Sequence, residues 1–212
     1  MDKVSLFTRQ NENSYYELMK KGRITNKEIY IRLHMGDMAE YFIGRYKKFV
    51  EMAEKIVERP DYTAFPIWCS VSKKNCMKPI EKEIVYCLEV PHDQVIYFDG
   101  GKWDYVLNGL YIPKNAEDRA KYRKEIERLG VKDEFNFIDG RYKGMYPKIE
   151  KKIVDSWERI FEIDKWNEFV VQANLWEIKR EWVKHIVREG EDLMAICADM
   201  EETFPPDAFT LN

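Results

Sequence analysis

Hydrophobic residues recur every three or four positions along some stretches of the chain and nearly every second position along others. The first spacing is typical of amphipathic helices and the second of strands with one buried face. The three-and-four spacing predicts helices over residues 14–21, over 26–58 with a division at Gly36, and over 115–129 and 148–161. The first of these ends just before a glycine, the residue that most often adopts the left-handed conformation at a helix end.

Strands are predicted where β-branched and aromatic residues form runs that are too short for helices. These runs are residues 4–8, 65–71, 83–90, 94–98 and 169–178, and further short helices are predicted over 103–108, 181–188 and 193–200. Helices and strands do not alternate regularly, which excludes a TIM barrel and a Rossmann fold. The pattern predicts an α+β fold, with a mixed or mainly antiparallel sheet of about five strands surrounded by helices. We expect a single domain over residues 1–204 and a frayed tail over 205–212.

Composition narrows the class of protein. The 212 residues are 45% hydrophobic and 34% charged, which suits one globular core. The 35 basic and 38 acidic residues give a net charge of -3, so no overall charge favours nucleic acid or an anionic membrane. No apolar run reaches the roughly 18 residues of a membrane span, and the N-terminus lacks the layout of a signal peptide. We therefore expect a cytoplasmic protein with no membrane partner.

Several familiar sites have no counterpart in the sequence. The four cysteines form no CxxC pair, and the three histidines are far apart, so we expect no metal site and reduced, mostly buried thiols. The sequence also contains no glycine-rich phosphate loop, no GxSxG and no GxGxxG.

The first stretch with candidate chemistry is Thr8-Arg9-Gln10, at the end of the first predicted strand. Arg9 could hold a phosphate through a bidentate contact, with the hydroxyl of Thr8 beside it. A surface arginine next to a threonine at a helix entry is the alternative. Taken alone, these residues favour that alternative.

Two further stretches contain tryptophan. In Asp99-Gly100-Gly101-Lys102-Trp103, the glycines let the backbone approach a ligand and Trp103 could stack on a base or a nicotinamide ring. A tight turn leading to a core tryptophan explains this stretch equally well. Residues 156–161 form a Trp and Phe stripe at helical spacing, for which a core role is the better explanation.

The last stretch lies in the predicted strand over residues 169–178. In a regular strand Gln172, Asn174 and Trp176 share one face. Buried amides need hydrogen-bond partners, so this face is a poor core surface and a candidate lining for a site. An edge strand with one wet face explains it equally well.

The sequence resembles an uncharacterised bacterial family catalogued as domain of unknown function 3841. The resemblance rests on Leu6-Phe7-Thr8-Arg9-Gln10 with residues 18–22, Pro66-Ile67-Trp68, residues 88–99, Trp103, Val106-Leu107-Asn108, residues 156–161, Gln172-Ala173 and Trp176-Glu177. It covers nearly the whole chain but implies no function.

A weaker similarity, to ADP-ribosyltransferase-like domains, implies more. It rests on a first strand that ends in a polar motif, a helix closed by glycine, and a late strand with Gln-Ala-x-Leu. In that family a polar residue of the first strand anchors NAD, an aromatic ring stacks on nicotinamide, and a late Gln-x-Glu orients the ribose and the acceptor. The similarity implies that Thr8-Arg9-Gln10 anchors NAD, that Trp103 or Trp68 stacks, and that Gln172 is the glutamine.

The chain departs from the family's pattern at the catalytic glutamate, which falls on Asn174. A carboxylate stabilises the oxocarbenium-like charge that develops as nicotinamide leaves, and an amide does so much less well. Either Glu177 or another acid such as Glu158 takes this role, or the chemistry is lost. In a regular strand Glu177 lies on the face opposite Gln172, so a bulge would be needed to bring them together.

These observations lead to two hypotheses of different classes. The first is an NAD-dependent ADP-ribosyltransferase, with NAD as substrate and an unidentified macromolecule as acceptor. The second is a non-catalytic protein of a bacterium or phage whose aromatic cleft binds a partner protein or peptide, and Asn174 favours it. A nucleic-acid partner would rest on Lys73, Lys74 and Lys78 alone, and a solvated loop is the better explanation of these lysines.

Overall fold

The computed structural model describes residues 2–202 and divides the chain into two compact units. The first unit runs as far as Tyr97 and resumes at Asp164, and the second is Phe98–Ile163. The first unit holds the described strands, although one of them ends inside the second unit, which is mainly helical. The α+β class is thus confirmed. A single domain over residues 1–204 stays a prediction, and the expected tail over 205–212 lies outside the described residues.

The regular elements follow one another in an irregular order of helices and strands. In chain order they are β1 (Lys3–Asn11), α1 (Ser14–Lys21), β2 (Arg23–Thr25), α2 (Glu28–Met35), α3 (Ala39–Ala53), β3 (Ile67–Ser70), β4 (Glu83–Pro91), β5 (Ile96–Asp99), α4 (Gly100–Leu107), α5 (Ala116–Arg128), α6 (Pro147–Ser156), β6 (Val171–Leu175), β7 (Glu177–Lys179), β8 (Val183–Val187) and α7 (Leu193–Ile196).

Local sequence explains where several helices end and begin. α1 ends at Gly22, whose φ of 73° is left-handed and whose N–H donates to the carbonyl of Leu18. Gly36, with φ 53°, ends α2 and separates it from α3 as the sequence predicts. At the start of α5, the side chain of Asn115 accepts a hydrogen bond from a backbone N–H of the first turn.

Six strands form the main sheet in the order β5-β6-β3-β1-β4-β8, and β2 pairs with β7 in a separate two-stranded sheet. Every described register is antiparallel, which agrees with the expected mainly antiparallel sheet. The sheet has six strands, one more than expected. The consecutive strands β4 and β5 are not neighbours, because β1, β3 and β6 lie between them. The turn at Pro91-His92-Asp93 therefore does not close a hairpin.

The face of the sheet that carries Phe7, Arg9, Ser70 and Gln172 is called the arginine face below. Paired residues of an antiparallel sheet share a face, and the pairs Phe7↔Ser70 and Ser70↔Gln172 place these side chains together. Over β1, β4 and β8 this face is covered by a buried cluster that includes residues of α7. Over β3 it is covered by α3, whose Phe49 ring lies 5.3 Å from the ring of Trp68.

The opposite face holds a second layer of buried side chains. Leu6, Tyr86 and Leu88 are completely or almost completely buried on it. The hydroxyls of Tyr86 and Ser14 are 2.9 Å apart, which attaches the start of α1 to β4. The sheet is thus covered on both sides over much of its area, whereas Arg9, Trp68 and Gln172 keep part of their surface exposed.

The prediction of a helix over residues 181–188 is wrong. A 3₁₀ turn, Arg180–Trp182, leads into β8, which pairs with the edge of β4. Three of the five residues of β8 are Val or Ile, and Val187 is buried against β4. β-branched side chains favour a pleated, half-buried surface, and here this contact outweighs the helical spacing.

The prediction of one strand over residues 169–178 is also wrong. The chain leaves the main sheet after Leu175 and continues as β7 in the small sheet. Trp176, between the two strands, is buried and its indole N–H donates to the carbonyl of Val57 at 2.8 Å. The strand is interrupted at Trp176 because the ring is buried there and its N–H has a hydrogen-bond partner.

The second unit is built from α4, α5, α6 and the turns between them. Tyr111 and Tyr122 stack with ring centroids 4.3 Å apart. The buried hydroxyl of Ser156 accepts from the N–H of Ile112 and donates to the carbonyl of Ile153. Trp157 is buried beside it. The stretch 156–161 therefore has the core role that the sequence favours for it.

Two glycine substitutions test how backbone conformation sets the helix ends. Gly22→Ala places a Cβ in a left-handed position with nothing within 4 Å, so we expect a loss of about 1 kcal/mol from backbone strain alone. Gly44→Ala, inside α3 and also free of neighbours, should gain up to about 1 kcal/mol. Urea unfolding measures both, and equal effects of the two substitutions would contradict the assignment of Gly22.

Candidate functional site

The two central strands of the main sheet, β1 and β3, are paired over a short length. β1 pairs with β4 along its whole length but makes one described pair with β3, Phe7↔Ser70. β3 in turn makes four pairs with β6. Just before β3, Phe65 pairs with Asn26, so the chain there follows the end of β2 instead of β1. The strands β1 and β3 therefore diverge beyond Phe7.

Side chains bridge this opening on the face opposite Arg9. The hydroxyl of Thr8 donates to the carbonyl of Trp68 at 2.7 Å, and the amide of Gln10 donates to the same hydroxyl at 2.8 Å. Thr8 is buried. Its hydroxyl acts as donor and acceptor at once, so it replaces a backbone link between the strands.

The structure separates the members of the predicted NAD anchor. Neighbouring residues of a strand point to opposite faces, so Thr8 and Gln10 lie on one side of β1 and Arg9 lies on the other. The hydroxyl of Thr8 is consequently not beside the Arg9 guanidinium, as the sequence predicts it to be. Arg9 is the one member of this motif on the arginine face.

Arg9 is held by an ion pair and by a loop carbonyl. Its Nε lies 2.8 Å from the carboxylate of Glu83, and its Nη1 donates to the carbonyl of Lys78 at 3.2 Å. Both charged side chains are roughly a quarter exposed. A guanidinium has five N–H donors, and the hydrogen bond to Lys78 uses one of them, while the contact with Glu83 is an ion pair. The others remain for an anion that reaches this face.

Gln172 lies on the same face, with β3 between it and β1. The row Phe7, Ser70 and Gln172 crosses the three strands, and Arg9 lies two residues further along β1. Gln172 is half-buried, and its side-chain amide makes no hydrogen bond with another of the residues 2–202. It is thus a polar group on the same face as Arg9, and its side-chain donors and acceptor are available.

Trp68 lies on the arginine face two residues before Ser70 on β3, and it is half-buried. Its ring lies 4.9 Å from that of Tyr46 and 5.3 Å from that of Phe49, both on α3. Burial raises the pKa of Tyr46, so this phenol remains neutral at physiological pH. Trp68 therefore belongs to an aromatic layer between the sheet and α3, and its remaining surface borders the opening.

Asn174 pairs with Trp68 and holds the position at which the family resemblance expects a catalytic carboxylate. It is fully buried, and its amide N–H donates to the carbonyl of Ile67 at 3.2 Å. Its side-chain oxygen has no hydrogen-bond partner among the described residues. A buried acceptor without a donor is costly, and a ligand N–H or O–H would satisfy it.

Glu177, the other predicted catalytic residue, lies in the small sheet, where it pairs with Thr25. It is 6% exposed. The hydroxyl of Tyr62 is 3.2 Å from both carboxylate oxygens, Arg23 Nη1 is 3.4 Å from one of them, and Lys179 Nζ is 3.6 Å from the other. The carboxylate is thus held by one phenol and two cationic side chains.

Tyr62 and Arg23 are site residues that sequence patterns do not reveal. The Arg23 guanidinium lies 4.6 Å from the centre of the Tyr62 ring. Tyr62 comes from an irregular loop, and Arg23 comes from a three-residue strand. Neither has a periodicity or a motif around it, so only the folded chain brings them to Glu177.

Gln172 and Glu177 do not lie on one strand. The break at Trp176 puts Gln172 in the main sheet and Glu177 in the small sheet. On one regular strand, a bulge would be needed to bring the two residues together. The described residues between them form no such bulge, because the chain passes from the main sheet to the small sheet instead. Five positions separate the two residues, so their Cα atoms are at most roughly 18 Å apart.

A cleft of about 500 Å³ lies in the first unit. It is lined by residues 56–61 with Asp93 and Gln94. Three carboxylates line it, those of Glu58, Asp61 and Asp93, and the single lining arginine, Arg59, already contacts Glu54 at 3.0 Å. The negative charge disfavours a phosphate or a diphosphate here. The arginine face is therefore the better place for a nucleotide.

Trp103 is a core residue of the second unit. It is 6% exposed and meets Phe98 edge to face at 6.5 Å. The preceding Asp99 caps α4 by accepting a hydrogen bond from the N–H of Lys102. The stretch 99–103 thus matches the alternative given above, a turn that leads to a buried tryptophan, and its ring offers little surface for stacking. Glu158, the other acid considered, is exposed on the second unit.

Within residues 2–202, no group of three or more His, Cys, Asp or Glu side chains could hold a metal ion. Among the same residues, the helices are all too short or too polar to cross a membrane. The cysteines are free thiols, and Cys69, Cys87 and Cys197 are buried, as expected.

Comparison with known proteins gives a family but no activity. The profile of a family described as Domain of unknown function (DUF3841) matches residues 5–184. No curated protein and no solved structure matches the chain.

Thr8→Val tests whether the threonine hydroxyl joins the two central strands. This change leaves the carbonyl of Trp68 without its donor and the amide of Gln10 without its acceptor, so we expect a loss of about 2 kcal/mol in stability. Thr8→Ser keeps the hydroxyl and should cost clearly less. Chemical unfolding measures the free energy of unfolding of both variants. Equal losses in the two variants would show that the packing of the methyl group matters and the hydroxyl does not.

Proposed function

The chain belongs to the family described as domain of unknown function 3841, and we propose that it binds NAD on the arginine face and transfers the ADP-ribosyl group to a macromolecular acceptor. One observation carries this proposal. Arg9, Trp68 and Gln172 lie on one face of the sheet at the point where β1 and β3 stop pairing. A cation, an aromatic ring and a free amide are the groups that a dinucleotide requires.

Each of these side chains has a proposed role. The guanidinium of Arg9 binds the diphosphate or a ribose hydroxyl with the N–H groups that Glu83 and Lys78 leave available. The exposed part of Trp68 stacks on the nicotinamide ring. Gln172 hydrogen-bonds the nicotinamide ribose, and the orphan oxygen of Asn174 accepts from a ligand N–H or O–H. Thr8 and Gln10 hold the edges of the opening in place and do not contact the ligand.

Glu177 is the proposed catalytic carboxylate. In the reaction, the bond between C1′ of the ribose and the nicotinamide nitrogen breaks, and neutral nicotinamide leaves with the electron pair. A nucleophile of the acceptor bonds to the same carbon and gives up its proton. The positive charge that develops on the ribose is stabilised by the carboxylate, which Tyr62 and Arg23 hold in place. NAD is the substrate and no other cofactor is required.

The second candidate function is non-catalytic binding of a partner protein or peptide, and two observations favour it. The position at which the resemblance to ADP-ribosyltransferase-like domains expects a catalytic glutamate is occupied by Asn174, an amide. Glu177 lies in the other sheet and already contacts three groups. A cytoplasmic location and a bacterial or phage source are proposed for either function on the sequence alone. A nucleic-acid acceptor is a minor alternative.

Gln172→Ala tests the NAD site directly. Because the Gln172 amide has no described protein partner, its loss should leave the melting temperature nearly unchanged and weaken NAD binding at least tenfold in calorimetric titration. Gln94→Ala is the matched control, since it removes the same amide from the acidic cleft. Weaker binding by the Gln94 variant and normal binding by the Gln172 variant would move the site to that cleft.

Glu177→Gln tests the proposed catalytic role. It keeps the shape and removes the charge, so we expect NAD to bind as before and nicotinamide release to fall about 100-fold. Release is measured by chromatography with cell extract as the source of acceptor. If the unaltered protein binds NAD but releases no nicotinamide, the transfer step is excluded and the non-catalytic function is supported. If it does not bind NAD at all, the nucleotide proposal fails entirely.

A further inference from the structure

Two buried thiols face each other where the segment after β8 covers the arginine face. Cys87 lies in the middle of β4, and Cys197 follows the last residue of α7. Their Sγ atoms are 3.0 Å apart, and neither residue has any exposed surface. The contact joins the centre of the sheet to the last described segment of the chain, although the two positions are far apart in sequence.

The segment that carries Cys197, residues 193–202, is attached to the sheet by a few polar contacts. Lys73 Nζ donates to the carbonyl of Cys197 at 2.9 Å, the hydroxyl of Ser5 donates to the carbonyl of Glu201 at 2.7 Å, and His185 Nε2 lies 2.8 Å from Asp199. Its apolar side chains, including Leu193 and Met200, cover the part of the arginine face formed by β1, β4 and β8. The thiol pair lies within this buried cluster.

We infer that Cys87 and Cys197 form a reversible intramolecular disulfide that fixes residues 193–202 to β4. The oxidant is a small-molecule disulfide such as oxidised glutathione. The thiolate of Cys197 attacks it, forming a mixed disulfide and releasing one reduced glutathione. The thiolate of Cys87 then attacks the sulfur of Cys197 and releases the second. Two protein thiols and one oxidised glutathione thus give one protein disulfide and two reduced glutathiones.

The geometry requires little movement for this bond. A disulfide has an S–S length of about 2.05 Å, so the two sulfur atoms need to approach by roughly 1 Å. Cys87 is fixed between the neighbouring strands β1 and β8, whereas Cys197 lies at the end of a four-residue helix. We expect the helix side to move and the sheet to keep its shape.

The surroundings control how fast the bond forms. Burial raises the pKa of the Cys87 thiol, and it raises that of the nearby Cys76 to about 12, so both are protonated at neutral pH. Burial also raises the pKa of the Cys197 thiol, although the contact with Cys87 and the positive charge of Lys73 oppose this effect. An external disulfide must also reach a buried sulfur, which requires residues 193–202 to open briefly. Oxidation is therefore slow in the closed state, and the product is protected from reduction.

The bond would also affect the arginine face. Lys73, which binds the backbone of the Cys197 segment, belongs to the loop that follows β3. The same loop carries Lys78, whose carbonyl accepts from Arg9. Fixing the segment thus restricts the loop that positions the Arg9 guanidinium. The inference itself does not depend on NAD binding.

Thiol counting on the unaltered protein tests the inference. The protein is incubated with excess oxidised glutathione, unfolded and titrated with a chromogenic disulfide. The chain has four cysteines, and we expect two titratable thiols after oxidation and four after reduction with dithiothreitol. Peptide mapping should show a Cys87–Cys197 cross-link. The bond closes a loop of about 110 residues, so the melting temperature of the oxidised protein should rise by about 5 °C or more.

Two variants make the result specific. Cys69→Ser removes a buried thiol that lies outside the pair and should still give the Cys87–Cys197 cross-link. Cys197→Ser should give no internal cross-link, provided that its circular dichroism spectrum shows a folded protein. Four remaining thiols in the unaltered protein, persistent glutathione adducts without a cross-link, or a cross-link that joins Cys76 to either partner would overturn the inference.

Discussion

The unequal pairing of β1 with its two neighbours is the constraint on which the rest of the structure depends. β1 is bonded to β4 over nine residue pairs and to β3 over one. An antiparallel ladder satisfies backbone groups pair by pair, so the sheet can open only where that ladder is short. On one face, the hydroxyl of Thr8 replaces the missing backbone link between β1 and β3. On the other face lie Arg9, Trp68 and Gln172. The opening is thus a property of the strand register.

Charge is distributed so that the two candidate surfaces differ in the ligand they suit. The arginine face carries a guanidinium whose charge is only partly compensated by Glu83. The cleft of the first unit is lined mainly by carboxylates, and Glu177 is surrounded by cationic and phenolic groups. The proposed function assigns the anionic part of the nucleotide to the first surface and the developing positive charge of the ribose to Glu177. The break at Trp176 connects the two, because it directs the chain from one sheet to the other.

The sequence predicts most elements and a part of the site, and the failures have identifiable causes. Gly22 and Gly36 mark the ends of α1 and α2 because a left-handed residue is locally required there. β8 is missed because its pairing with β4 is a long-range contact that local periodicity does not contain. The separation of Arg9 from Thr8 follows from strand alternation and is predictable in principle. The contact of Tyr62 with Glu177 joins a loop to a strand 115 positions away, and no local pattern encodes it.

Hydrogen exchange with and without NAD tests most directly whether the opening between β1 and β3 is the ligand site. Amides of weakly paired strands exchange through local opening, and a ligand that bridges the strands suppresses this motion. NAD is predicted to slow exchange in residues 8–10, 66–70 and 171–174, with little change in α5. Unchanged exchange in all three segments at saturating NAD, or protection confined to residues 56–61, would contradict the account.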